Sequence, residues 1–248
     1  MWTRGDRRIK APALGRAQIV HEAIALLDAE GLDALSMRRL AGRLNSGATS
    51  IYWHVANKDE LLELVLDEVY GEFIITSAES LRWRDLVQRI AYSMRDTLLR
   101  HTWAIPLVGT RPAIGPNAIR LMSKLSLTFE AAGFHQRSID YAAAAVLSYV
   151  LGSVTSDAAT NAMIARAGGD VGLVQDTFRD LLAKTAADHP DLLERYDSYD
   201  PADHAATRAL AFDFGLTSIL DGLEVRLTRQ EPAYTKAKAK RRKRSAAA

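Results

Sequence analysis

The sequence predicts an all-α protein, with a small N-terminal helix-turn-helix domain followed by a larger helical domain. Apolar residues recur at three- and four-residue spacing, no stretch alternates apolar and polar for the length of a strand, and Gly and Pro fall between the periodic segments. The first helix, over about 15–30, carries Val20, Ala23, Ile24 and Leu27 on one stripe and ends at Gly31. Ser36 is placed to cap a second helix whose inner face is Met37, Leu40, Ala41 and Leu44. Asn45-Ser46-Gly47 breaks the chain, and a third helix over 48–54 turns Ile51 and Val55 inward. Asn57 with Glu60 three residues on is a capping box, opening a fourth helix through Leu61, Leu62, Val65, Leu66 and Val69.

Further helices are expected at about 83–100, 116–132, 137–166, 171–187 and 203–230, with the acidic run Asp188–Asp203 as solvated loop. Two of them are apolar on more than one side. Ala145, Ser148, Gly152, Thr155 and Ala159 form a stripe of small residues, while Val146, Leu147, Val150, Leu151 and Val154 cover other faces. Phe212, Leu216, Ile219, Leu220, Leu223 and Leu227 form a broad apolar face on the last helix. Helices of this kind must be covered twice, so helices 137–166 and 203–230 are expected to build a homodimer.

Composition limits the chemistry. The 248 residues are 48% hydrophobic and contain no cysteine, which excludes disulfides, a thiol nucleophile and Cys-ligated metal. No catalytic constellation, phosphate-binding glycine loop, HExxH or GxSxG occurs, and His135 and His204 lack metal-ligand spacing; no cofactor, no metal and no enzyme activity are expected. Neither a membrane span nor a secretory signal is read, so the expected location is cytoplasmic. The net charge of +2 is uneven. Residues 61–235 carry 23 Asp/Glu against 16 Lys/Arg, whereas 236–248 carry seven Lys/Arg and no acid. The expected organisation is a flexible basic arm (1–13, with Arg4, Arg7, Arg8 and Lys10), a DNA-binding domain (14–60), a ligand-binding and dimerisation domain (61–231) and a disordered basic tail (232–248).

Two short helices joined by a Gly-containing turn place the second in the DNA major groove. Thr49 and Ser50 then reach base edges, Tyr52, His54 and Lys58 meet phosphates, Trp53 is counted among the DNA-contacting residues, and Arg38 forms a fork to guanine or phosphate. Ser36-Met-Arg-Arg-Leu-Ala, Tyr52-Trp-His-Val and Asn57-Lys-Asp-Glu-Leu-Leu together closely resemble the DNA-binding domain of the TetR family of bacterial regulators. Gly109-Thr-Arg-Pro, Gly133-Phe and the segment Phe214–Thr228 extend the likeness toward its tetracycline-repressor subgroup. The resemblance implies a homodimer that reads a palindromic operator and releases it when a small molecule binds the C-terminal domain.

The likeness fails where that subgroup chelates metal. Its two histidines fall on Leu107 and Ile74, its asparagine near Ile90 and its glutamine near Leu125, none of which can ligate a hard cation. A pocket of Ile74, Ile90, Met94, Trp103, Leu107 and Leu125, with His101, Thr110 and Arg111 as polar handles, is expected to take a largely apolar effector. The competing readings are an all-α carrier or enzyme with a degenerate helix-turn-helix, and a regulator without an effector.

Overall fold

The computed structural model describes residues 14–74, 82–198 and 204–245, with side chains of the final helix described over 205–229. Among them are ten α-helices and no strand: α1 Arg16–Glu30, α2 Met37–Arg43, α3 Ala48–Tyr52, α4 Lys58–Gly71, α5 Trp83–Arg100, α6 Pro116–Ala132, α7 Arg137–Arg166, α8 Val171–Thr185, α9 Pro190–Asp197 and α10 His204–Ser245. The basic arm with Arg4, Arg7, Arg8 and Lys10 lies outside the described residues.

The chain packs as two compact units. One runs through Glu72 and takes in Arg100–Ile119; the other holds Phe73–Leu99 and the chain from Arg120 onward. The helix-turn-helix therefore shares its unit with α4 and with the segment that follows α5. In this first unit Ile19, Ala23, Leu26 and Leu27 of α1, Leu40 of α2, Ile51 of α3 and Leu61 and Val65 of α4 are almost wholly buried. Ser36 caps α2 by accepting from the Arg39 N–H at 3.2 Å. The turn that follows puts Asn45 at φ 48°, a left-handed conformation that asparagine tolerates well, and the Ser46 N–H closes on Ala41 O at 3.0 Å. Leu44, at the end of α2, is half-buried rather than buried.

The second unit is centred on α5, α6, α7 and α10. Trp83, Phe129 and Phe134 form an aromatic cluster with ring centroids 5.4–6.0 Å apart. Gly133 ends α6 at φ 105°, and the Phe134 N–H returns to Phe129 O at 3.0 Å. A residue with a side chain would be strained there, so the glycine is what lets Phe134 turn back into the core. Val146, Val150 and Val154 of α7 and Phe212, Leu216 and Leu220 of α10 are buried. Within this apolar packing lies a charged network. Asp157 on α7 accepts from Arg95 of α5 at 2.7 Å and from Arg208 of α10, while the Arg95 guanidinium lies 5.0 Å over the Phe212 ring. Burial lowers the pKa of Arg208 even with Asp157 beside it.

Several features differ from expectation. α3 stops at Tyr52, with Trp53 and His54 in the turn that follows, because the His54 and Val55 N–H groups both close on Ile51 O. The acidic run contains α9, whose Pro190 sits in the first turn, where a missing N–H costs nothing. α10 continues to Ser245, so the tail expected to be disordered is helical in its backbone; Lys236–Arg244 is built of Ala, Lys and Arg, all strong helix formers. Finally, α7 is by length and composition apolar enough to cross a bilayer, with mean hydropathy 1.3 over its most apolar stretch. Its valine face packs in the second unit.

The charged network yields two expectations. Asp157→Ala leaves two guanidinium groups facing one another without a counter-charge, and should lower stability by about 3 kcal/mol in urea denaturation. Tyr92 donates to Asp213 at 2.7 Å, and burial, aided by that bond, pushes its pKa up to about 12. A raised phenol pKa means the neutral form is favoured on folding, so its contribution is intact below the ordinary value of 10 and is lost as pH rises toward 12. Between pH 10 and 12 the unfolding midpoint of Tyr92→Phe should therefore fall less than that of the native protein.

Candidate nucleic-acid interface

The exposed face of α3 is defined by what the opposite face buries. Ile51 and Val55 are 0% and 1% exposed, so Thr49, Ser50 and Tyr52 point outward and Trp53 is 85% exposed. A tryptophan left in water beside three polar side chains is a surface prepared for a partner. His54 is half-buried, whereas Arg38 and Lys58 are exposed and make no ion pair among the described residues. Their neighbours are committed elsewhere: Arg39 pairs with Glu30, and Arg43 with Glu22 at 2.5 Å, bracing α2 against α1. The structure thus sorts the three arginines of α2 into two braces, Arg39 and Arg43, and one cation without an ion pair among the described residues, Arg38.

Two contacts hold this surface in place. Arg16, at the start of α1, donates to His54 O through Nε at 3.1 Å and Nη2 at 3.0 Å, and also reaches Glu60 at 3.4 Å. Nothing in the sequence separates Arg16 from other exposed arginines; its role appears only when α1 and the end of α3 meet. At the start of α4, Asn57 accepts from the Glu60 N–H at 2.8 Å, as the capping box requires. The return bond goes one residue further than expected: the Glu60 carboxylate accepts from the Ala56 N–H at 2.6 Å rather than from Asn57. The loop from His54 to Asn57 is therefore fixed from both ends.

The residues expected to hold an effector divide between the two units. In the second, Ile90, Met94 and Leu125 are closed into the core, while Ile74 is 67% exposed and its N–H donates to Ser93 Oγ at 2.7 Å. Ile74 lines a cavity of about 660 Å³ with Asp85, Gln88, Arg89, Tyr92, Ser93 and Asp96, polar residues of α5 that sequence reasoning passed over because they face away from the apolar stripe. In the first unit the expected polar handles have protein partners. His101 lies between Asp28 (2.7 Å) and Glu72 (3.2 Å), and Trp103 donates to Asp28 at 2.6 Å. Arg111 pairs with Asp59 at 2.7 Å, and Thr110 donates to Pro106 O at 2.7 Å. Leu107 is buried. The carboxylates of Asp28, Asp59 and Glu72 claim His101, Trp103 and Arg111, and a backbone carbonyl claims Thr110. Leu107 and Ile74 are hydrocarbon and do not fit a metal chelate.

Comparison with known proteins agrees with this geometry. The profile described as "Bacterial regulatory proteins, tetR family" matches residues 19–65, and "Tetracyclin repressor-like, C-terminal domain" matches residues 77–227. An HTH-type transcriptional regulator of Saccharopolyspora erythraea is 36% identical over 224 residues, covering 90% of each chain. The HTH-type transcriptional repressor DrrR1 of Streptomyces coeruleorubidus is 31% identical, covering 91% of this chain and 83% of its own. ActR of Streptomyces coelicolor, solved in complex with actinorhodin, superposes with a TM-score of 0.71 at 32% identity, over 88% of this chain and 99% of its own. The chain belongs to the TetR family of bacterial DNA-binding transcriptional regulators, which are not enzymes.

Proposed function

We propose that two copies associate through α7 and α10, present both α3 helices to successive major grooves of a palindromic operator about 34 Å apart, and let go when a small effector binds. The observation that carries the DNA-reading part is the burial of Ile51 and Val55 beneath an outward face of Thr49, Ser50, Tyr52 and Trp53. In this reading Thr49 and Ser50 meet base edges, Tyr52, Trp53, His54 and Lys58 follow the sugar–phosphate backbone, and Arg38 forms its fork to guanine or phosphate.

Association is supported by what the single chain leaves in water. The small-residue stripe Ala145, Ser148, Gly152, Thr155 and Ala159 is exposed, as are Leu210 and Phe214 on α10. Such a stripe lets a second pair of helices approach closely. The effector's place is the cavity beside Ile74, whose exposed lining is mostly carbon. An apolar body would rest on Ile74 and the Tyr92 ring, with Gln88 and Arg89 as polar contacts, a composition typical of small-molecule sites. ActR's complex with actinorhodin is a precedent for a small molecule held on this fold. The ligand acts only through unequal affinity for the DNA-competent and released states.

The native protein should retain a DNA fragment from upstream of its own gene in a gel-shift assay, with binding that weakens steeply as salt rises. Thr49→Ala combined with Tyr52→Ala should lower that affinity at least tenfold, Thr49 giving up a base-edge contact worth about 1–3 kcal/mol and Tyr52 a backbone contact; full retention sinks the interface. Gly152→Glu tests the dimer, because a Cβ at Gly152 meets nothing within 4 Å in the protomer. It should yield a folded monomer by sedimentation that no longer shifts the fragment, whereas a dimer that still binds would place the interface elsewhere.

A further inference from the structure

The cavity beside Ile74 is bounded by one face of α5, and several polar groups on that face are already engaged. Tyr92 donates to Asp213, Ser93 Oγ accepts from the Ile74 N–H, and Asp85 accepts from Arg82 at 3.2 and 3.3 Å. Arg89 and Asp96 differ. Both line the cavity, both are exposed, and neither makes an ion pair among the described residues.

Each charge has a natural mate on its own helix, and each mate is taken. Side chains four residues apart on a helix are neighbours, and an acid that precedes a base at this spacing is the favourable order. For Arg89 that acid is Asp85, which Arg82 holds. For Asp96 that base is Arg100, whose guanidinium pairs with Glu72 at 2.7 Å. What is left is a cation and an anion two turns apart on the cavity side of α5, about 10 Å along its axis, with Tyr92 and Ser93 between them.

A molecule that fills the cavity takes water from both charges, and an ionised group that loses water without gaining a partner is costly. An uncharged hydrocarbon would strand both. A simple cation would serve Asp96 and strand Arg89, and a simple anion would do the reverse. A ligand with a charge of each sign at matching spacing strands neither.

We propose that the effector is amphoteric: an elongated apolar or aromatic body with an acidic group that meets Arg89 and, about 10 Å away, a basic group that meets Asp96. This rests on the reading of the cavity as the effector's place. Ile74 and Tyr92 take the body, and the two charges decide which molecules are accepted and which way round they lie. The Arg89 guanidinium suits a carboxylate or another planar oxyanion, because its donors form a fork.

Three xanthene dyes share one aromatic body and differ in charge. At mildly alkaline pH rhodamine B is a zwitterion, rhodamine 6G is a cationic ester and fluorescein is a dianion. Fluorescence polarisation with the native full-length protein and two variants reads the rule. Asp96→Asn should weaken rhodamine B and rhodamine 6G about threefold while leaving fluorescein no weaker. Arg89→Gln should weaken rhodamine B and fluorescein by a similar factor while leaving rhodamine 6G no weaker. Both positions are exposed, so the variants should unfold at the native midpoint. Gln88→Trp fills the cavity without changing its charge, and should weaken all three dyes alike. If Gln88→Trp displaces the dyes but the crossed pattern is missing, the charge rule is overturned and the site stands. Dyes that ignore the native protein, or that bind Gln88→Trp at full strength, overturn instead the reading of the cavity as a small-molecule site.

Discussion

A five-residue helix cannot hold its own shape in water, since nucleation costs more than one turn of hydrogen bonds returns. α3 exists because Ile51 and Val55 are driven into the core of the first unit and because Arg16 and Glu60 fix the chain just beyond its end. Everything the protein does with DNA depends on that anchoring. The apolar pair sets the rotation of the helix, and its rotation alone decides that Thr49, Ser50 and Tyr52 face outward together. The price of stability at this surface is met below it, which leaves the outward side chains free to be chosen for recognition.

The second unit solves a different problem. Its long helices are apolar on several faces, and apolar contact alone does not specify how far one helix slides past another. The Arg95–Asp157–Arg208 network ties α5, α7 and α10 at one level, and Tyr92 with Asp213 ties α5 to α10 at another. A buried ion pair is weak evidence for stability, but a misplaced one is costly. Registry is the natural role for groups that penalise every arrangement but one. The outer stripe of α7, by contrast, carries small side chains that penalise nothing and so leave room for close approach.

The fate of the expected effector residues shows the same logic in the first unit. His101, Trp103 and Arg111 are polar groups placed among apolar ones, which in sequence resembles a ligand site. In the fold they meet Asp28, Glu72 and Asp59, and these pairings bind the segment after α5 to α1 and α4. Their chemistry serves the connection between helices. A cavity in the second unit, beside Ile74, is lined by the polar side of α5 instead.

What the sequence determined by itself is whatever depends on near neighbours. Helix positions followed from spacing: α5, α6 and α7 have the expected limits, because a capping residue, a proline or a glycine acts within one turn of itself. The family and the helix-turn-helix itself were legible for the same reason, since Ser36 through Lys58 is one continuous stretch. Only the tertiary structure decided which of Arg38, Arg39 and Arg43 stays without an ion pair among the described residues, why Arg16 matters, and that the cap of α6 is the Asp67 carboxylate, 50 residues earlier in the chain. Those outcomes depend on distances between segments that local spacing does not encode. A charge in a sequence has no partner until packing brings one within about 3 Å, and it is the partner that settles what the charge is for.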